Sequence, residues 1–153
     1  SLHLGEVGAG FVGVLLADVL TGGVASLAAV GVGVGVGAAT NDGLAAVIFG
    51  GLVGAIVFPV LNLAATPVAA VLGARLVDRG HPFHEQRTLG PPLLAAYAVK
   101  ALEALAFAAA LFLLEGTSLG EGPGIAALVV FGLLHYAGVP AAASMGFHAQ
   151  RVG

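Results

Sequence analysis

Glu103, His135, Lys100 and Asp18 are the side chains with which this chain could do chemistry, because each is ionisable and sits inside a long apolar tract. Glu103 lies at the midpoint of residues 93–114 and His135 at the midpoint of residues 125–147. Lys100 precedes Glu103 by one helical turn on the same face, with Tyr97 a further turn back. Asp18 shares a helical face with Thr21, Gly22 and Ala25. A charged group at the centre of a bilayer costs at least about 2.5–3.5 kcal/mol on insertion scales, so such groups turn toward protein or water and find partners. Imidazole changes charge near neutral pH. Glu103 and His135 could therefore exchange a proton or coordinate an ion, with Lys100 tuning the carboxylate. The simpler reading is structural: an ion pair within one helix and a histidine clip between helices, contacts that often contribute under about 1–2 kcal/mol. On sequence grounds the simpler reading is preferred.

Other chemistries find less support. His81, His84 and Glu85 stand close together in a polar segment, and His3 and His148 could join them from the same side. These are few ligands for a metal, and no HExxH spacing exists; a solvated, headgroup-facing loop accounts for them. No metal and no cofactor is expected. Ser26, Ser118 and Ser144 lie outside any nucleophile elbow, and an enzyme is not expected. The glycine run at 31–37 lacks the following Lys of a phosphate-binding loop. Five Lys and Arg against eight Asp and Glu leave no basic face for nucleic acid.

The elements that must hold these residues are apolar helices. The chain of 153 residues is 59% hydrophobic and 8% charged, with no cysteine; soluble domains carry about 25% charged residues. So few charges cannot cover a water-soluble globule of this size, and the expected solvent is lipid. Within Ala25–Ala39, a period of four gives two small-residue ridges, Thr21-Ala25-Ala29-Gly33-Gly37 and Leu27-Gly31-Gly35-Ala39. In water each glycine would weaken a helix by roughly 0.5–1 kcal/mol relative to alanine. In lipid the unpaired backbone of any alternative costs more, and small-xxx-small strips are what membrane helices pack through. Gly31, Gly33, Gly35 and Gly37, with Gly50 and Gly54 on the next tract, are the expected helix-packing residues. The Gly-x-Gly-x-Gly-x-Gly run at 31–37 is similar to the inner-helix packing motif of rotary ATPase ring subunits, which implies tightly apposed helices in an oligomer. That family's carboxylate on the second helix has no counterpart, since residues 43–62 carry no acid.

The expected fold is an all-α, polytopic integral membrane bundle, a single transmembrane domain over 1–153, with tracts at about 4–39, 43–77, 93–114 and 125–147. The first two exceed a bilayer core of roughly 30 Å, so they tilt, protrude or break, the first near Gly22-Gly23. Pro59 and Pro67 should kink the second tract and Pro140 the fourth. Asn41-Asp42-Gly43 is a turn signal. Arg75, Arg79, Arg87 and Arg151 fall on the side of the N-terminus, whereas Asp42, Glu115 and Glu121 fall on the other. The basic bias favours N-in, C-in topology in a cytoplasmic membrane. A start at Ser1 rather than Met is expected of a processed product or a chain lacking its N-terminal part, and removal of a signal peptide would instead point to an outer membrane. The leading expectation is a structural or assembly subunit of a homo-oligomer or larger membrane complex, packed through Gly/Ala faces. The alternative is a small proton, ion or solute transporter or channel using Asp18, Glu103 and His135. The expected partners are the lipid bilayer and either further copies or other membrane subunits.

Overall fold

A computed structural model describes residues 3–78, 87–116 and 121–150. Of these, 94% are helical, and four helices are long and apolar enough to cross a membrane. The chain is an all-α integral membrane protein. Helix α1 spans Leu4–Thr40, α2 Gly43–Asp78, and α3 Gly90–Gly116. The fourth stretch is α4 (Glu121–Leu133), a π turn (Leu134–Gly138) and α5 (Val139–His148). Leu27, Val47, Leu94 and Phe112 are each 70% exposed or more. Water would penalise that apolar area at about 25 cal/mol per Å², and acyl chains do not.

The Gly22-Gly23 step does not interrupt α1, which runs unbroken for 37 residues, or about 55 Å at 1.5 Å per residue. Helix α2 likewise continues through Pro59 and Pro67 for 36 residues. Between them the turn forms where its residues favour it. Asn41 takes a φ of 55°, a conformation Asn tolerates better than most residues. Asp42 Oδ1 accepts the Leu44 and Ala45 N–H groups at 2.8 and 3.2 Å, capping α2. Helix α3 begins at Gly90 and takes Pro91 and Pro92 into its first turn, where a missing N–H breaks no helical bond.

The chain divides into two compact units. One, residues 15–66, is the hairpin of the remainder of α1 with the first part of α2. Here Ala29, Gly33, Ala46 and Gly50 bring backbones together: a methyl on Gly50 would lie 2.7 Å from the Ala29 carbonyl oxygen, and one on Gly33 3.0 Å from that of Ala46.

The other unit, residues 1–14 with 67–153, contains the start of α1, the end of α2, and helices α3 to α5. Its core is Val14, Ala70, Val71, Ala74, Ala96, Val139, Ala143 and Phe147, with Leu93 and Val99 packed against it. The small residues matter here too. A methyl on Gly13 would strike the Ala69 carbonyl, one on Gly73 the Ala9 carbonyl, and one on Gly146 the Pro92 backbone.

Candidate functional site

The site is assembled by α3 and the π turn. Lys100 and Glu103 are three residues apart on α3, so both project from one face. Glu103 is 13 residues from each end of α3, about 20 Å at helical rise. His135 occupies the same level of its own helical stretch, 14 residues after Glu121 and 13 before His148. Its position is set by Pro140, whose ring crowds the carbonyl four residues back and which donates no hydrogen bond. The ladder widens just before it, and Val139 N–H donates to Leu134 O, five residues back. Turns of this kind concentrate at functional sites.

The three side chains meet. Lys100 Nζ donates to Glu103 Oε1 at 2.8 Å and lies 3.0 Å from His135 Nδ1, which is itself 2.8 Å from Glu103 Oε1. Lys100, Glu103 and His135 are 5%, 2% and 5% exposed. Glu103 Oε2 is buried with no hydrogen-bond partner among the described residues. The Phe131 ring lies parallel to the imidazole at 6.1 Å, and the Tyr136 ring meets it edge-on at 4.7 Å. An ammonium, a carboxylate and an imidazole thus share one point in apolar surroundings, a set suited to passing a proton.

Asp18 lies in the other compact unit. It belongs to the hairpin, where Asn62 Nδ2 donates to Asp18 Oδ1 at 2.8 Å and to Thr21 Oγ1 at 3.2 Å. Thr66 Oγ1 satisfies the Asn62 carbonyl at 2.8 Å, whereas the Asn62 side chain reaches across to α1. Of the glycines expected to pack, Gly33, Gly37, Gly50 and Gly54 have close neighbours inside the hairpin. Among the described residues nothing lies within 4 Å of a methyl added at Gly31 or Gly35.

A second polar cluster was not legible in the sequence. Glu6 is buried at the start of α1, where it accepts from Ser144 Oγ at 2.8 Å and meets His148 Nε2 at 2.8 Å. The His3 and His148 rings stack at 3.6 Å. Asp78, also buried, is held by Arg87 at 2.6 Å and Arg75 at 3.4 Å. Glu6, Asp78 and His148 offer ligand atoms within 4.8 Å of one another, so they could hold a divalent cation. The two arginines and Ser144 already bond to those carboxylates, and Glu6 with Ser144 and His148 ties α1 to α5. Its signal was the i,i+4 spacing of Ser144 and His148 together with a lone Glu6 in an apolar tract. His81, His84 and Glu85, the other metal candidates, lie outside the described residues.

Comparison with known proteins adds no family: no family model, no curated protein and no solved structure matches the chain.

Proposed function

We propose that this protein is a small proton- or cation-handling membrane protein whose working site is Lys100, Glu103 and His135. The observation that carries the reading is the mutual contact of the three groups, within 3.0 Å, at the middle of two membrane-length helical stretches. An ion pair alone needs two partners. Adding an imidazole from a π turn costs helix regularity, and it gives the cluster a ring that can both accept and donate a proton. The test is flux through the purified chain in vesicles under an imposed pH gradient. Glu103→Gln is expected to reduce the flux to that of protein-free vesicles. Full flux in that variant refutes the proposal.

A second reading, assembly into a homo-oligomer or larger complex, is favoured by Gly31 and Gly35. Glycines with no packing neighbour among the described residues weaken a helix without return, whereas a neighbouring helix would use the flat surface. The test belongs at these positions and not at Gly33, which the hairpin itself uses. Gly31→Leu with Gly35→Leu is expected to reduce particle mass in nanodiscs to that of a single chain. An unchanged oligomer, or a wild type that is already monomeric, counts against assembly through this face.

A further inference from the structure

Resting on the proton- or cation-handling reading above, we infer that the carried species is the proton, and that it crosses the site through the His135 ring after entering at Glu103 Oε2. The contact atoms Lys100 Nζ, Glu103 Oε1 and His135 Nδ1 form a closed triangle with edges of 2.8, 2.8 and 3.0 Å. A ring nitrogen has a single in-plane site, which either carries a hydrogen or offers a lone pair. With the lone pair, Nδ1 accepts from Lys100 and faces Glu103 Oε1 with no hydrogen between them. With the hydrogen, it donates to Glu103 and confronts an ammonium that accepts nothing. Neither tautomer satisfies all three edges. Each satisfies two, so the geometry holds the ring between them.

Conversion from the first tautomer to the second moves one proton across the site. A proton arriving at Glu103 Oε2 makes the acid. Lys100 passes an Nζ proton to the Nδ1 lone pair, and rotation of the carboxyl group, which exchanges the places of its two oxygens, brings the acid's proton to the resulting amine and restores ammonium and carboxylate. The imidazolium then loses the Nε2 proton, and that bonding pair returns to the ring. One proton enters, one leaves, no electron is transferred, and reorientation of the ring then presents the vacant nitrogen, now Nε2, to Lys100 for the next proton. Glu103 Oε2 is the entry because it is a buried acceptor without a hydrogen-bond partner among the described residues. Tyr136, edge-on to the ring, is a further titratable side chain in contact with it. An alkali cation fits poorly: Lys100 Nζ already stands against Glu103 Oε1 at 2.8 Å, and hard cations take cages of several oxygens.

The full chain is reconstituted in phosphatidylcholine–phosphatidylglycerol vesicles containing a pH-sensitive dye, with a potassium diffusion potential set by valinomycin. The expected result is voltage-driven acidification that is unchanged when external sodium is replaced by choline. His135→Gln, with helix content matching the wild type, is expected to fall to the rate of empty vesicles. In parallel, nitrogen-15 NMR of the wild-type chain is expected to detect both neutral tautomers of His135. An absolute requirement for sodium overturns the choice of the proton and leaves the cation reading standing. Flux persisting in His135→Gln, or a single tautomer across the pH range of the flux, overturns the route through the ring. Absence of any wild-type flux overturns the proposed function itself.

Discussion

At the scale of single residues, the ion pair has consequences separate from transport. Lys100 and Glu103 are both buried and bonded at 2.8 Å. Removing one partner leaves the other charge uncompensated, which costs about 3–5 kcal/mol in comparable buried pairs. Lys100→Met is therefore expected to lower stability by about that amount in reversible detergent unfolding. The double variant Lys100→Met/Glu103→Met should recover most of the loss, because no orphan charge remains. Equal stability for the single and double variants would show that the pair is not buried as drawn. The Asn62 contacts to Asp18 and Thr21 belong to a milder class. Asn62→Leu is expected to cost only about 1 kcal/mol by the same measurement, as interhelical polar contacts in membranes usually do.

At the scale of elements, close approach is concentrated where glycine or alanine faces a carbonyl. Gly50→Val forces a side chain into the Ala29 carbonyl and is expected to destabilise by about 1–3 kcal/mol, the usual cost of overpacking. Gly31→Val meets nothing among the described residues and is expected to be neutral or stabilising in a monomeric preparation. Thermal unfolding in detergent separates the two. Much of this was legible beforehand. Period-four spacing marks Gly33 and Gly50, and length with composition gives four spans whose ends fall within a few residues of those observed. Three things were not legible. Gly13 shares with Gly73 the tightest approach of all, and whereas Gly73 falls on a period-four ridge with Ala65 and Ala69, Gly13 stands between Val12 and Val14 and forms no conspicuous run. The π turn follows from Pro140 only once the helix is committed to continue past it, whereas a kink satisfies the same sequence. The contact between Glu103 and His135 requires the pairing of α3 with the last helical stretch, and midpoint positions alone do not fix which faces meet.

At the scale of the whole molecule, charge decides how the chain sits in its membrane. Four crossings would place the starts of α1 and α3 and the ends of α2 and α5 on one side. The tie among Glu6, Ser144 and His148 joins the start of α1 to the end of α5, as that parity requires. Arg75 and Arg87 lie at the same end through Asp78, and the sequence adds Arg79 and Arg151. Four crossings would put Asp42 and Glu121, at the starts of α2 and α4, on the opposite side, and no Lys or Arg lies near either in sequence. Positive charge resists transfer across an energised membrane, so the arginine-bearing side should face the cytoplasm. The chain contains no cysteine, which makes single-cysteine labelling clean. Asn41→Cys is expected to react with an impermeant maleimide added to intact cells, and Gln150→Cys only after lysis. The reversed pattern would place the arginines outside, and would favour insertion after removal of a signal peptide over insertion governed by basic residues. Labelling of both sites in intact cells would break the four-span parity on which the mid-membrane position of Glu103 and His135 depends.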